Sequence, residues 1–176
     1  MEDRTLTLVL GGARSGKSRF AEGLITRKPP PWVYIATAES GDAEMAQRIA
    51  LHQARRGDGW STLEAPRDLA GALESSRPTP VLVDCLTLWL SNLLLADANI
   101  EHETARLEQA LAQRGAPVAL VANEVGSGIV PENALARRFR DLQGALNQRI
   151  AAQADCVVLT VAGLPLYVKG SPKELP

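Results

Sequence analysis

Aromatic residues are scarce in this chain. Phe, Trp and Tyr make up 4% of its 176 residues, so Ala, Leu and Val must build any core. Cysteine is nearly missing too, with Cys85 and Cys156 as the two examples. Two cysteines without ligand spacing make no metal site. Both fall at or beside apolar runs and read as core thiols in a reducing compartment, not as a disulfide. Excess charge is absent: 19 Lys and Arg against 20 Asp and Glu leave a net charge of −1. Without a basic block, a general nucleic-acid binder is excluded, because its affinity rests on neutralising phosphates. The apolar stretch from Leu86 to Ala98 is too short for a bilayer and is broken by Ser91 and Asn92. Met1-Glu2-Asp3-Arg4 does not resemble a secretory signal. A cytoplasmic protein without a membrane span or nucleic-acid partner is expected. Internal repeats and low-complexity linkers are missing as well. The length and the 45% apolar content fit a single domain over residues 1–170, with 171–176 as a flexible tail.

The chain does hold one strong motif, Gly11-Gly12-Ala13-Arg14-Ser15-Gly16-Lys17-Ser18. Gly, four residues, then Gly-Lys-Ser is the spacing of a phosphate-binding P-loop. Glycines let consecutive N–H groups turn inward onto phosphate oxygens, and the following helix start adds partial positive charge. Lys17 then reaches the β- and γ-phosphates, and Ser18 offers its hydroxyl to Mg2+. The apolar Leu6–Leu10 run before the loop and the helical pattern after it supply the required context.

Strands are expected over Thr5–Leu10, Trp32–Ala36, Trp60–Glu64, Val81–Asp84, Val118–Ala122 and Val157–Val161, the last paired with Leu166–Val168. Helices are expected over Lys17–Thr26, Ala43–Arg56, Arg67–Ser75, Leu88–Leu95, Glu101–Gln113 and Ala134–Ala154. Continuous apolar strands alternating with helices predict an α/β fold, a mainly parallel sheet flanked by helices. Ligands of such sheets sit at the carboxyl ends of the strands. That rule brings the P-loop, Thr37, Asp84 and Asn123-Glu124 to one edge.

Several residues there have two readings. Asp84 either orders Mg2+ or its waters, or caps the helix that follows. His52 shares a helix face with Arg48, Arg55 and Arg56. Neighbouring cations keep an imidazole neutral and nucleophilic, and guanidiniums hold phosphates. The face is therefore either a phosphate site with a nucleophile or a solvated basic surface. Glu64 either faces the cleft or lies on the surface. Asn123-Glu124 either positions substrate or serves its own turn. His102, among carboxylates at a helix start, reads as surface.

Five strings recur together in one known family. They are the P-loop, Tyr34-Ile35-Ala36-Thr37, Arg48-Ile49-x-x-His52, Trp60-x-Thr62-x-Glu64, and Asn123-Glu124-Val125-Gly126-x-Gly128-Ile129-Val130-Pro131-Glu132-Asn133. Arg137-x-Phe139-Arg140-Asp141 and Asn147-Gln148-Arg149 follow. From Leu8 to about Gly163 the chain resembles the bifunctional adenosylcobinamide kinase / adenosylcobinamide-phosphate guanylyltransferases of cobalamin biosynthesis. The resemblance implies a RecA-like P-loop NTPase fold, a homotrimer, and GTP or ATP with Mg2+ acting on adenosylcobinamide. It also implies two reactions. The γ-phosphate passes to the aminopropanol hydroxyl, and a histidine matching His52 then takes GMP from GTP and hands it to the phosphorylated corrinoid. Nucleotide contacts are implied for Gly11 to Ser18, for Ala36, Thr37 and Ala38, for Gln53, Ala54, Arg55 and Arg56, and for Glu64 and Asp84. The metal would rest on Ser18 and Asp84. Asp84 stands where some relatives carry Glu, and its shorter side chain can act through water. The Leu86–Leu95 helix is a candidate wall for the corrinoid. Two other readings are a simple P-loop small-molecule kinase without a covalent intermediate and a nucleotide-gated binding module.

Removing the lysine tests whether the loop serves phosphoryl transfer. Lys17→Ala is expected to lower phosphoryl transfer to adenosylcobinamide by ~100-fold or more, the usual scale for losing a charge-stabilising donor. Steady-state kinetics with γ-labelled nucleotide check it, and undiminished transfer would refute the kinase role of the loop.

Overall fold

The computed structural model describes residues 4–39 and 57–170. The helix expected over 43–56, with His52 and Gln53 to Arg56, and the tail 171–176 lie outside the described residues. Seven strands form one sheet: β1 (Leu6–Gly11), β2 (Trp32–Ala36), β3 (Trp60–Glu64), β4 (Val81–Asp84), β5 (Val118–Asn123), β6 (Cys156–Val161) and β7 (Leu164–Lys169). Their order across the sheet is β3-β2-β4-β5-β1-β6-β7. β1 to β6 run parallel, and β7 returns antiparallel to β6. The described helices are α1 (Lys17–Ile25), α2 (Leu69–Ser75), α3 (Leu86–Leu95), α4 (Ile100–Ala112) and α5 (Ala134–Gln153). The α/β architecture expected from the alternating pattern is therefore the one observed.

Side-chain alternation along the strands builds two cores. Leu8, Ile35, Val83 and Leu120 face α2 to α5, where Leu69, Trp89, Leu107 and Ile150 meet them. Val9, Tyr34, Leu82, Ala119 and Val121 face the other way, onto Ala21 and Ile25 of α1. Burial on both faces is why these strands read as nearly continuous apolar runs. Both thiols are free and buried.

Caps set the helix starts. The Asp68 carboxylate accepts from Gly71 N at 3.2 Å, so α2 begins at Leu69 and not at the expected Arg67. Asn99 accepts from His102 N and Asn133 from Ala136 N, each at 3.0 Å. The expected starts of α4 and α5 fall within one residue of the observed Ile100 and Ala134. α3 starts at Leu86, two residues before the expected Leu88, with Cys85 as its cap residue. Asp84 is thus not the cap.

Ala162 and Gly163, both at positive φ (52° and 82°), turn β6 into β7. Two left-handed residues are what a tight two-residue hairpin requires. β7 leaves Leu164, Leu166 and Val168 exposed. No described helix is long and apolar enough to cross a membrane.

Candidate functional site

The P-loop joins β1 to α1 at the carboxyl edge of the sheet. Gly11 ends β1 inside the fold. A Cβ there would lie 2.3 Å from Ser15 Oγ and 2.5 Å from Thr160 Oγ1, so only glycine fits. Gly16 has φ +93°, a left-handed conformation natural to glycine, and a Cβ on it would lie 3.1 Å from Gly163 Cα. Ser15 Oγ is 3.0 Å from Thr160 Oγ1, which in turn donates to Leu10 O at 3.0 Å. Gly163 N donates to Ser15 O at 2.9 Å. The loop is thus tied to β6 and to the hairpin turn after it. Lys17 curls back, Nζ donating to Gly12 O at 3.0 Å. Gly12, Ala13 and Arg14 are exposed, so the rim of the loop is open to a ligand.

Tyr34, Asp84 and Glu64 occupy the α1 side of the same edge. Leu82 and Asp84 share one strand face, and Leu82 packs in the α1 core. Tyr34 Oη donates to Asp84 Oδ2 at 3.3 Å, orienting the carboxylate. Glu64 is exposed at the end of β3, beside Ala36. It stands four strands from Gly11, roughly 19 Å at the usual strand spacing. Glu64 and the P-loop therefore cannot touch the same phosphate.

Thr37 has a different place from a ligand-facing one. It is fully buried; its Oγ1 accepts from Cys85 N and donates to Cys85 O, each at 2.7 Å. Its carbonyl accepts from Asn92 Nδ2 at 2.8 Å, and the same amide donates to Pro66 O at 2.9 Å. Thr37 and Asn92 bolt the ends of β2 and β4 together and so set where Asp84 points. Ala36 is buried in the α1 core and Ala38 is half-buried beyond it. Glu124 serves its own turn, Oε1 accepting from Gly126 N at 2.6 Å, while its N–H donates to Gly11 O at 3.2 Å. α3, the candidate corrinoid wall, directs Leu86, Trp89, Leu90 and Leu93 into the chain's own core and leaves only Leu95 strongly exposed.

Thr160, Asn92 and Tyr34 were not assigned roles from sequence. Thr160 sits in an apolar strand and Asn92 in an apolar helix, and the mismatch of a polar residue in such a run is the one signal that marks them. Among the described residues no cluster of three or more His, Cys, Asp or Glu could hold a metal alone. Ser18 and Asp84 are hard oxygen donors at one edge, which suits Mg2+, an ion that takes one or two protein oxygens and completes its shell with phosphates and water.

A family model described as cobinamide kinase / cobinamide phosphate guanyltransferase matches residues 7–168. The match runs past Gly163 into β7, further than the motif strings extend. A bifunctional adenosylcobalamin biosynthesis protein CobP from Pseudomonas aeruginosa is 49% identical over 169 residues, 94% of this chain and 98% of that protein. A bifunctional adenosylcobalamin biosynthesis protein CobU from Salmonella typhimurium is 42% identical, over 93% of this chain and 99% of that one. A solved structure from Pyrococcus horikoshii OT3 shares the fold at a TM-score of 0.55, with 11% identity over 98% of this chain and 90% of the other.

Cys85 adjoins the site without the chemistry of a nucleophile. Burial pushes its thiol up to about 11, and the Asp84 carboxylate adds to the shift. At pH 8 its thiolate fraction falls about 100-fold below that of an ordinary thiol, so alkylation of the folded protein slows in proportion. Peptide-resolved iodoacetamide labelling should show this, with the rate climbing toward pH 11. The folded-state value lies above the unfolded one, so the contribution to stability is full below about pH 9 and is lost as pH rises toward 11. Rapid labelling at pH 8 would contradict this placement.

Proposed function

The chain belongs to the cobinamide kinase / cobinamide phosphate guanyltransferase family, and from that premise we propose a two-step reaction for its own residues. The family consists of enzymes of adenosylcobalamin biosynthesis, which sets aside the nucleotide-gated binding module. In the first step the aminopropanol hydroxyl of adenosylcobinamide attacks the γ-phosphorus of GTP or ATP. A P–O bond forms, the bond to the β-phosphate breaks, and the nucleoside diphosphate leaves. Lys17 and the N–H groups of Gly12 to Ser18 hold the phosphates and stabilise the charge that develops on them. Ser18 and Asp84 would hold Mg2+, which would supply charge neutralisation to the transferring phosphate. The arrangement that carries this reading is the P-loop and Asp84 on one side of one sheet edge.

In the second step His52 is the nucleophile toward the α-phosphorus of GTP. A P–N bond forms, pyrophosphate leaves, and the enzyme carries GMP. The phosphate of adenosylcobinamide phosphate then attacks the same phosphorus, releasing His52 and yielding adenosylcobinamide-GDP. Gln53, Ala54, Arg55 and Arg56 follow His52 directly, and the guanidiniums of Arg55 and Arg56 are suited to hold the phosphates of the nucleotide it attacks. Glu64, far from the P-loop, suits the base end, where guanine presents N–H donors to a carboxylate. Two buried free thiols are in keeping with a cytoplasmic setting. The exposed apolar residues of β7 support a trimer packed through the β6–β7 hairpin.

Incubation with α-labelled GTP is expected to leave acid-labile, base-stable label on the protein, and His52→Ala should remove it. Label on the variant would refute the covalent step. Absence of label on the unchanged protein would leave a simple P-loop kinase. Light scattering on the same preparation should give three times the 18.8 kDa chain mass; a monomer mass would overturn the trimer.

A further inference from the structure

Asn123 has no part in the steps above, yet it is built into the centre of the site. β5, which it ends, lies between β4, ending in Asp84, and β1, ending in Gly11. Asn123 pairs directly with Gly11. Alternation puts its side chain on the face of Ala119 and Val121, the face covered by α1, whose first two residues are Lys17 and Ser18. Its backbone is held on both sides. The N–H donates to Thr87 Oγ1 at 2.7 Å, and the carbonyl accepts from Asn147 Nδ2 at 3.2 Å. Asn147 Oδ1 accepts in turn from Gln143 Nε2 at 2.8 Å, and both of these side chains are buried.

At the end of this scaffold Asn123 Oδ1 is buried, with no hydrogen-bond partner among the described residues. An unmatched buried acceptor costs stability, and this one ends a strand paired with Gly11 of the loop. Its chemistry selects what it meets. Triphosphate oxygens and the Asp84 carboxylate are acceptors and cannot satisfy it. The reacting partner that brings a donor is the hydroxyl that receives the phosphoryl group.

We infer that the Asn123 carboxamide oxygen accepts the hydrogen bond of the acceptor hydroxyl and aligns it on the γ-phosphorus. The inference rests on the kinase reading. As the hydroxyl oxygen forms its P–O bond, the bond to the β-phosphate breaks and the nucleoside diphosphate leaves. The hydroxyl proton is released to solvent; a carboxamide does not bind it, so Asn123 orients and does not act as base. Orientation of this kind acts on the transition state more than on nucleotide binding.

The test is phosphoryl transfer from γ-labelled GTP to adenosylcobinamide by the full chain and by Asn123→Leu and Asn123→Asp. Leucine keeps the volume and removes the acceptor; aspartate keeps an acceptor oxygen in place. Asn123→Leu is expected to lose about 100-fold in kcat, with the nucleotide KM moved less than about threefold. Asn123→Asp should retain at least about ten times the activity of the leucine variant. A leucine variant within about threefold of the unchanged protein overturns the inference. So do equal losses in both variants, or an effect confined to the nucleotide KM. If Asn123→Leu does not fold, as judged by its melting curve, Asn123→Ala is read by the same criteria. If the unchanged protein transfers no phosphate to the corrinoid, the kinase reading falls and this inference with it. If it does and Asn123→Leu equals it, only the inference falls.

Discussion

A methyl group is what this site cannot hold at Gly11. The strand end runs so close to Ser15 and Thr160 that a Cβ would lie within 2.5 Å of both hydroxyl oxygens. That closeness lets the loop fold back over the strand and hook onto β6 through Ser15 and Thr160. It also brings Ser15 O to the N–H of Gly163. The amides of the loop are therefore not a free turn. They are held from beneath by a strand some 145 residues further along the chain. Preorganisation of this kind is what lets a loop stabilise charge without reorganising during reaction.

The rest of the site follows from strand order. In a parallel sheet every carboxyl end lies at one edge. Here β5 separates the P-loop strand from the strand that ends in Asp84. Lysine, carboxylate and Asn123 thus stand side by side although they are far apart in sequence. Thr37 and Asn92 perform the matching task on the other side, fixing β2 to β4 so that Tyr34 meets Asp84. Glu64 lies further out along the same edge, four strands from Gly11.

Much of this was legible in the sequence because the signals were local. Apolar or β-rich runs beside Gly or Pro marked the strands, and the polar stretches Asp97–Asn99 and Pro131–Asn133 marked two helix starts. The start of α2 was misplaced because Pro66 and Asp68 both signal a helix N-terminus, and the Asp68 cap decides it. The four strand-end groups were placed on one edge by a topological rule, and they are there. Pairwise relations were not legible. Nothing local to Thr37 says that its hydroxyl is committed to Cys85, and nothing near Ser15 points to Thr160. The apolar character of Leu86 to Leu95 suggested a wall for a large substrate, but it belongs to the core beneath α3. His52 rests on its motif, because it lies outside the described residues.

The spread of the site along the chain also decides how it couples to folding. Its parts come from β1, β2, β4, β5 and β6, and the ties among them close loops of up to 150 residues. No fragment shorter than nearly the whole sheet contains all of these parts. A triphosphate that binds there selects the complete domain over every partly folded form. By mass action it stabilises distant elements such as β3, at the far edge of the sheet, as much as the loop it touches.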